Sequence, residues 1–571
     1  MNERLTIPGA FFDSENDKTL PALSARASGK AIVIKRGEFE EKVKRLALGL
    51  VSLGIKPGET VAILSENSPE WIMSDLAISS VRAISVPIYT TLGKEEKLFM
   101  LRDSKCVAVV FSTRHRKDAL SAAKEIPSLR TLIETDSGGK TEKGAIAFEE
   151  VERLGATRDP EELEGIIKNI KEDDVFSIIY SSGTTGTPKG VVITHKNLLS
   201  NVKSVLEVID ITRSGLYLSY LPLSHVFERM IHHLLVYRGA PIAYSRGFAY
   251  VGADIAEFTP ALLIGVPFFL DRAKHKILSS ARESGILKRI LFDLAMKLNK
   301  RFLLDSLVFK KIREKAFPGV KLLISGGAAL NPETASFFIK LGIPVLQGYG
   351  LTETSTVVTV NTLGGNRVGT VGRPVPGVEV KINPDGEILV KGPNVMKGYL
   401  NMPERNTEVL RDGWFYTGDT GHLDRDGYLS ITGRKKDLII TSVGKNISPQ
   451  LIETRLKSDP HIKEALVYGD NRPHLVALIV PEIERLKTLA IDLGINFEQP
   501  SGLRDNEKIR AFFEKIIHNS LKDLGRFEQI RRFALIEEPL PERGEMTPTM
   551  KIKREKVAER HKDVIKRLYE E

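Results

Sequence analysis

Apolar and polar positions alternate along the first 170 residues with two different spacings. Residues 39–53 repeat apolar side chains at about every 3.6 positions and are followed by Lys56-Pro57-Gly58, which predicts an amphipathic helix that ends there. The apolar run at 61–64 predicts a strand, and Ser68-Pro69-Glu70 then predicts the start of a second helix. Helices that alternate with apolar strands are typical of an α/β fold with parallel sheets.

The pattern changes after Gly433. Two short strands at 465–468 and 475–480, among charged helices, predict a small α+β unit. We therefore expect a large N-terminal domain of sheets flanked by helices over 1–435, and a smaller, mobile α+β C-terminal domain over 436–571.

The composition agrees with a soluble globular protein. The 571 residues are 42% hydrophobic and 27% charged, and this length predicts roughly two to four domains. No window approaches the ~18 uninterrupted apolar residues of a membrane-spanning helix, and the N-terminus lacks the pattern of a secretory signal. The single cysteine, Cys106, cannot form an internal disulfide and is expected to be a small core residue in a strand-like run at 106–111. We therefore expect a cytoplasmic protein, with the charged stretch 159–174 as a connector.

The formal net charge of +10 at pH 7 would also suit a nucleic-acid-binding protein. Because the charge is spread along the chain and no nucleic-acid-binding motif is legible, anionic small molecules or an anionic membrane surface explain the charge as well, and no nucleic-acid partner is expected. The stretch 267–317 is helical in pattern and carries 13 Lys/Arg against 5 Asp/Glu. Two interpretations stay open for these basic helices: a solvated pair with a buried stripe, or an interfacial surface that makes peripheral contact with anionic lipid.

The candidate chemistry begins with a loop between two apolar runs, 175–180 and 191–194, that predict strands. The loop suits a polyanion, since glycines let backbone N–H groups approach phosphate oxygens, hydroxyls add donors and a lysine adds positive charge. A Walker-type phosphate loop does not fit, because Pro188 and Gly190 replace its second glycine and its magnesium-binding hydroxyl, and a strand rather than a helix follows. A plain surface turn is disfavoured by the flanking strands. The candidates for nucleotide binding are Ser181, Ser182, Gly183, Thr184, Thr185, Gly186 and Lys189.

Two further stretches follow predicted strands. A strand at 322–325 ends in small residues that would let a flat ligand lie against the backbone, and a strand at 343–346 leads into a loop with an aromatic, a hydroxyl and a carboxylate. These groups suit stacking, phosphate binding and Mg²⁺, which prefers one or two carboxylates plus phosphate oxygens. Glu353 alone would as readily cap a helix. The candidates are Gly326, Gly327, Ala328, Gly348, Tyr349, Gly350, Thr352 and Glu353.

These motifs, in this order from residue 30 to the end, resemble the adenylate-forming (AMP-binding) superfamily of acyl-CoA synthetases, peptide-synthetase adenylation domains and luciferases. The form L-P-L-S-H-V-F-E-R at 221–229 is similar to the long-chain fatty acyl-CoA synthetases in particular. The resemblance implies ATP and Mg²⁺, a fatty acid and coenzyme A as substrates, and an acyl-adenylate intermediate. It also implies that the small domain rotates between adenylation and thioester formation, and relatives of this type are monomers or homodimers.

The resemblance also assigns roles to individual residues. Four are the expected catalytic residues: Lys551 at the α-phosphate, Thr184 and Glu353 at the metal, and His225 in the wall of the acyl pocket. The remaining assignments are Tyr349 to the adenine, Thr352 to phosphate, Asp419 to the ribose, Arg434 near ribose and phosphate, Lys436 to the hinge, and Gly444 and Lys445 to the CoA channel.

Two alternatives to a CoA ligase predict different features in the sequence. A fatty acyl-AMP ligase, or another adenylating enzyme that passes the acyl group to a carrier protein, is disfavoured because the extra segment of such ligases is not obvious between Glu353 and Gly372. A non-catalytic lipid- or nucleotide-binding protein would be expected to lose Glu353 or Lys551, and both are present. The sequence therefore favours an ATP-dependent long-chain fatty acid–CoA ligase that releases AMP and pyrophosphate.

Overall fold

The chain forms two compact units in a computed structural model, which describes residues 6–13, 16–27, 30–139, 141–181, 188–283, 290, 292, 294–296, 309–442, 445–539, 543–546 and 552–570. The α/β class is confirmed, with large sheets flanked by helices. The single domain boundary expected at Lys436 stays a prediction. The first unit comprises Met1–Lys381, Leu389–Tyr416 and Arg425–Leu429, and the second comprises Ile382–Ile388, Thr417–Asp424 and Ser430–Glu571.

The largest sheet of the first unit has nine strands. Its central strands are parallel, and antiparallel pairs close both ends. The carboxyl ends of parallel strands lie at one edge of a sheet, so loops that follow different strands meet there. The strand order is Arg373–Pro374, Thr359–Val360, Val345–Tyr349, Leu322–Ser325, Leu262–Gly265, Tyr217–Ser219, Ile242–Tyr244, Pro21–Ala27 and Lys30–Lys35.

A second sheet of eight strands is parallel except at one end. There the strand Val175–Ser181 pairs antiparallel with Lys189–Thr194, as the flanking apolar runs predict, and Gly398–Tyr399 pairs antiparallel with Lys189–Thr194. The strand order is Gly398–Tyr399, Lys189–Thr194, Val175–Ser181, Ile84–Pro87, Thr60–Leu64, Ala108–Phe111, Thr131–Glu134 and Ile146–Ala147. Cys106 is fully buried beside this sheet, which confirms its assignment to the core.

Two helices of the first unit correspond to helices that the sequence pattern predicts. Pro69–Ser80 starts at the proline, and the Ser68 hydroxyl caps it by accepting a hydrogen bond from the Trp71 N–H at 3.3 Å. The helix predicted over 39–53 is Arg36–Ser52, and it buries an apolar face. The other helices are Ile7–Phe12, Lys94–Asp103, Arg116–Glu125, Phe148–Ala156, Pro160–Lys168, His195–Val208, Val226–Arg238, Val251–Phe258, Pro267–Glu283, Lys310–Ala316, Pro332–Lys340 and Pro403–Val409.

One stretch of the first unit differs from the sequence expectation. The charged connector expected at 159–174 contains the helix Pro160–Lys168, whose N-cap Asp159 accepts a hydrogen bond from the Glu161 N–H at 2.9 Å. Leu163 is its buried anchor. The high density of charged residues hid a helix that needs only one narrow apolar stripe.

The basic stretch at 267–317 is helical where it is described. Pro267–Glu283 and Lys310–Ala316 are helices, and residues 284–289 and 297–308 lie outside the described residues. Contact of these basic helices with lipid stays a prediction. Within the described part of the chain, no helix has the length and apolar character needed to cross a bilayer.

The second unit carries its own hydrophobic core around a three-stranded sheet. The two strands expected there are Ile462–Tyr468 and Leu475–Pro481, and they pair antiparallel. A third strand, Ile530–Leu535, was not predicted; it pairs parallel with Leu475–Pro481. Its two adjacent arginines, Arg531 and Arg532, interrupt the alternating apolar pattern of a strand, while Phe533 packs into the core. The helices are Pro449–Leu456, Ile483–Asp492, Glu507–Leu521, Arg554–Arg560 and Lys562–Glu570.

The remaining strands lie between residues 379 and 447. Most of them follow turns that contain a glycine or an aspartate, such as Gly386 and Gly413, which both have positive φ angles. Their bounds are Glu379–Ile382, Glu387–Lys391, Leu410–Arg411, Trp414–Leu423, Leu429–Arg434, Ile439–Ile440 and Asn446–Ile447.

Candidate functional site

The loop expected to bind phosphate lies at the tip of the antiparallel pair in the eight-stranded sheet. Ser181 and Lys189 face each other as the last described partners of the two strands. The other loop candidates, Ser182, Gly183, Thr184, Thr185 and Gly186, lie outside the described residues. The strands thus place both ends of the loop, and the phosphate-binding roles stay predictions.

Tyr180 anchors the strand that enters this loop. The ring is buried, and its hydroxyl donates a hydrogen bond to Oδ2 of Asp103 at 2.7 Å. Burial, together with this acidic neighbour, raises the pKa of Tyr180 well above its ordinary value. The side chain of Asn401 donates to Oδ1 of the same carboxylate at 3.0 Å, so Asp103 connects the loop strand to a second segment.

Two adjacent parallel strands of the nine-stranded sheet bring the other nucleotide candidates together. Ser325, the last residue of Leu322–Ser325, is the register partner of Gln347 in Val345–Tyr349. The residues that follow these partners therefore lie at the same edge of the sheet. This edge gathers Gly326, Gly327, Ala328, Gly348, Tyr349 and Gly350.

Several of these glycines are required by the packing of the protein itself. A Cβ on Gly350 would lie 1.2 Å from the Thr356 carbonyl oxygen, which excludes any side chain there. A Cβ on Gly326 would lie 3.0 Å from the Phe227 ring. Gly327 differs, because its φ of +81° favours glycine while a Cβ there would have ordinary contacts only. The small residues are therefore needed for close packing within the protein itself, and not only for a ligand.

Glu353 lies in the short 3₁₀ helix Thr352–Thr354 that follows Tyr349. Its carboxylate is half-buried, and its Oε1 accepts a hydrogen bond from the Tyr399 hydroxyl at 2.8 Å. Its backbone oxygen accepts from the Met396 N–H at 2.8 Å. The carboxylate is thus held by a side chain that the sequence did not single out.

The donor set around Glu353 fits Mg²⁺ bound mainly through a nucleotide. Among the described residues, no group of three or more His, Cys, Asp or Glu side chains could hold a metal ion by itself. Mg²⁺ is usually held by one or two carboxylates plus substrate phosphates and water, and does not need a protein cage. Glu353 can supply that carboxylate; the second expected ligand, Thr184, lies outside the described residues.

His225 has a structural position at the start of the helix Val226–Arg238. It is the N-cap residue, and its Nδ1 accepts a hydrogen bond from the Phe227 N–H at 3.1 Å. Its half-buried ring meets Tyr89 edge-on, with 6.4 Å between centroids. The cap fixes the tautomer, because an accepting Nδ1 in a neutral ring leaves the proton on Nε2. The expected role in the acyl pocket stays a prediction.

The loop that carries His225 is clamped by a residue that the sequence did not indicate. Asn67 donates to the Leu221 carbonyl oxygen at 2.6 Å and accepts from the Leu223 N–H at 2.9 Å. It also donates to the Ser219 hydroxyl at 2.9 Å. A single amide therefore satisfies both sides of the turn before the helix.

Glu228 and Arg229, the last two residues of the L-P-L-S-H-V-F-E-R motif, enter a buried polar network. The Arg229 guanidinium donates to both carboxylate oxygens of Asp75, at 2.8 and 2.5 Å. Its charge is the largest of the effects that lower the pKa of Asp75 against the opposing cost of burial. His233 shares the same carboxylate at 2.9 Å. The charges are thus paired where no water reaches them.

Glu228 has a different environment, without a cation in hydrogen-bonding contact among its described partners. The hydroxyls of Tyr217 and Ser219 donate to its two oxygens at 2.6 and 2.7 Å. Burial raises the pKa of Glu228 to about 8, although these hydrogen bonds oppose the shift. Burial likewise lowers the pKa of His232 to about 3. Consecutive polar residues within an apolar helical pattern were the available signal for this network.

The two ribose-side candidates are neighbours within the second unit. Arg434 Nε donates to Oδ1 of the buried Asp419 at 2.8 Å. Asp419 lies inside the strand Trp414–Leu423. The positive φ of the preceding Gly418 interrupts the regular strand geometry there, and the Gly418 N–H donates to Glu387 at 2.9 Å.

Two of the candidates for hinge and CoA channel, Lys436 and Lys445, are exposed residues of the second unit. Lys436 lies in the 3₁₀ helix Lys435–Asp437, and the Nζ of Lys445 lies 5.8 Å from the centre of the Phe527 ring. Gly444 and Lys551 lie outside the described residues. The functional roles of all four stay predictions.

Comparison with known families and structures agrees with this architecture. Residues 21–400 match the family described as AMP-binding enzyme, and residues 436–571 match the AMP-binding enzyme C-terminal domain. The chain is 32% identical to a long-chain-fatty-acid–CoA ligase of Mycobacterium tuberculosis, over 93% of this chain and 91% of that one. It is 32% identical to the peroxisomal long chain acyl-CoA synthetase 7 of Arabidopsis thaliana (94% and 81% covered). It is 31% identical to long-chain-fatty-acid–CoA ligase 5 of Rattus norvegicus (93% and 84% covered).

Solved structures with lower identity share the fold. An anthranilate CoA ligase in complex with anthranoyl-AMP superposes with a TM-score of 0.76 at 20% identity, covering 98% of both chains. ATP-bound MatB from Rhodopseudomonas palustris gives 0.75 at 24% identity, covering 98% of this chain and all of that one. The adenylation domain of a carboxylate reductase from Mycobacterium chelonae gives 0.79 at 20% identity, covering 99% and 93%.

Proposed function

This chain belongs to the AMP-binding enzyme family, and on that premise we propose that it joins a long-chain fatty acid to coenzyme A through an acyl-adenylate, with release of AMP and pyrophosphate. The observation that supports adenylation most directly is the sheet edge formed by two adjacent strands, where Gly326 follows one strand, Tyr349 ends the other and Glu353 comes shortly after it. The choice of a fatty acid and CoA rests on relatives of the whole chain from a bacterium, a plant and a mammal, all named as ligases or synthetases of this type.

The proposed reaction has two steps. In the first, a carboxylate oxygen of the fatty acid attacks the α-phosphorus of ATP, and the bond to the pyrophosphate leaving group breaks. In the second, the CoA sulfur attacks the acyl carbonyl carbon, AMP leaves with the electron pair of the C–O bond, and the thiol proton is lost to solvent. Little covalent chemistry is required of the protein, so positioning and charge stabilisation should supply most of the rate.

The residues have distinct parts in this proposal. Lys189 and Lys551 bring positive charge to the phosphates, Tyr349 stacks on the adenine, and Asp419 accepts from the ribose hydroxyls. Mg²⁺, held by Glu353 and Thr184 when bound, neutralises phosphate charge. His225, fixed by its N-cap hydrogen bond, forms part of the wall beside the acyl carbonyl.

The test is product formation from defined substrates. The purified protein is incubated with palmitate, ATP and Mg²⁺, with and without CoA, and AMP is followed; the same assay is run with acetate. We expect turnover that requires CoA and a higher kcat/KM for palmitate, because each buried CH₂ contributes up to about 0.8 kcal/mol. Equal efficiency on acetate would contradict the long-chain assignment. Adenylate that accumulates with no use of CoA would instead indicate transfer to a carrier protein.

A further inference from the structure

The short strand Gly398–Tyr399 lies directly against the strand that leaves the phosphate loop. Tyr399 is the register partner of Val191, and the Leu400 N–H donates to the Gly190 carbonyl oxygen at 2.7 Å. The Lys189 ammonium lies 5.5 Å from the centre of the Tyr399 ring. This distance is within the range of a cation–π interaction, which attracts the ammonium to the ring face.

The same tyrosine also contacts the expected metal ligand. Its hydroxyl donates to Oε1 of Glu353 at 2.8 Å, and the segment before it is tied to the Glu353 backbone by Met396. One side chain therefore bonds the Glu353 carboxylate through its hydroxyl and meets Lys189 through its ring. It spans the two groups that must face a single triphosphate.

Tyr399 is itself held rigidly. Its N–H donates to Oδ1 of Asn406 at 2.6 Å, and its carbonyl oxygen accepts from Nδ2 of the same amide at 3.0 Å. The side chain is 7% exposed. A tyrosine has only two side-chain torsions, so a buried ring on a clamped backbone is a stiff spacer.

We infer that Tyr399 is a positioning residue that orients the Glu353 carboxylate and holds the Lys189 ammonium at a set distance from it. The inference rests on the proposed function, since it assumes that both groups meet the same nucleotide. It extends that function by predicting separable effects. The hydroxyl should control how tightly the carboxylate binds Mg²⁺. The ring should control how the Lys189 ammonium contacts phosphate. Residues that orient metal ligands typically change metal affinity by about 10- to 100-fold when replaced.

The experiment measures nucleotide binding rather than turnover. The full chain is titrated with α,β-methylene-ATP, which cannot be cleaved at the α-phosphorus, over a series of MgCl₂ concentrations, and binding is followed by calorimetry. The variants are Tyr399→Phe, which keeps the ring and removes the hydroxyl, and Tyr399→Leu, which removes both. Tyr428→Phe is the matched control, because this tyrosine is 6% exposed, has Arg367 and Arg373 over its ring, and donates its hydroxyl to the Gly365 carbonyl oxygen.

Tyr399→Phe should raise the half-saturating Mg²⁺ concentration about tenfold and leave the nucleotide affinity at saturating Mg²⁺ unchanged. Tyr399→Leu should in addition weaken that limiting affinity about fivefold, as expected for one lost cation–π contact. Tyr428→Phe should resemble the wild type in both quantities. An unchanged Mg²⁺ dependence in Tyr399→Phe, or an equal shift in the control, would overturn the inference.

A double-mutant cycle with Glu353→Gln shows whether the hydroxyl acts through the carboxylate. Removing the hydroxyl in the Glu353→Gln background should cause no further change in Mg²⁺ dependence. A full additional shift there would mean that Tyr399 acts elsewhere and would also overturn the inference. If the wild type fails to bind the nucleotide at any Mg²⁺ concentration, the proposed function fails and the inference fails with it, whereas normal wild-type binding with an unaffected Tyr399→Phe refutes the inference alone.

Discussion

Glu228 illustrates at the residue scale how an environment changes the chemistry of a side chain. It is fully buried beside two hydroxyl donors, and its pKa of about 8 lies far above the ordinary 4.5 for a glutamate. The folded protein therefore keeps the proton to a higher pH than the unfolded chain. The stability that this proton binding contributes is fully present below pH 4.5 and is lost as the pH rises to about 8.

Glu228→Gln should remove this pH dependence while keeping a polar group of the same shape. The stability of the variant relative to the wild type should rise between pH 5 and 8, by at most about 1.4 kcal/mol for each pH unit. Melting temperatures of both proteins across this range provide the measurement. Glu164→Gln, at an exposed glutamate in a helix, is the control and should follow the wild type. Parallel curves for Glu228→Gln and the wild type would show that Glu228 is ionised in the folded protein.

At the element scale, two helices of the first unit approach each other through reciprocal glycines. A Cβ on Gly155, in the helix Phe148–Ala156, would lie 1.7 Å from the Arg45 carbonyl oxygen of the helix Arg36–Ser52. A Cβ on Gly49 would lie 2.1 Å from the Val151 carbonyl oxygen in the opposite direction. Glycine is therefore needed on both helices for their backbones to touch.

Gly155→Ala should destabilise the first unit by roughly 1–3 kcal/mol or more, the usual cost of overpacking, because backbone atoms must move apart. Gly165→Ala is a matched control: it lies inside the helix Pro160–Lys168, and a Cβ there would meet nothing within 4 Å. That change should stabilise the helix by about 0.5–1 kcal/mol, since alanine is the better helix former. Thermal unfolding of both variants shows whether each substitution lowers or raises the stability of the protein. A neutral Gly155→Ala would mean that the helices pack less closely than described.

At the scale of the whole molecule, the proposed reaction divides into two half-reactions that require different residues. Lys551, the lysine expected at the α-phosphate, should be needed only while negative charge grows on phosphorus. The glycine loop around Gly444 is expected to matter only for entry of the CoA arm. Rotation of the smaller domain between the two steps, which the family resemblance implies, would explain why each step requires different residues.

Lys551→Ala should lower the rate of adenylate formation by about 10²–10³, the typical effect of removing one fixed donor to developing charge. It should convert supplied acyl-adenylate and CoA to thioester at a near normal rate. ATP–pyrophosphate exchange and thioester formation measure the two steps separately. Lys556→Ala, at an exposed lysine in the helix Arg554–Arg560, should leave both rates unchanged.

Gly444→Leu should show the reverse pattern, with exchange retained and thioester formation lost, because a bulky side chain would obstruct the CoA channel only in the second step. Equal losses in both steps for Lys551→Ala and Gly444→Leu would argue against the two-state proposal. Intact folding of each variant is checked by circular dichroism before the rates are compared.

The sequence by itself determined the α/β class, the strands around the phosphate loop and the start of the helix at Pro69. Each of these depends on local chemistry: the period of apolar residues, the capping hydroxyl, and proline or glycine at a turn. It also singled out Glu353 from the loop that carries it, and Asp419 and Arg434 through the resemblance of their motifs to the adenylate-forming superfamily.

Only the tertiary structure decided which distant residues support these candidates. Tyr399 meets Glu353 across 46 positions of sequence, and Asn67 clamps the loop before His225 across more than 150. No local sequence pattern predicts such pairings, since they arise when a sheet brings separate segments to one edge. The pairing of Asp75 with Arg229 and the raised pKa of Glu228 have the same origin, because burial is a property of the packed unit and not of the neighbouring residues in the chain.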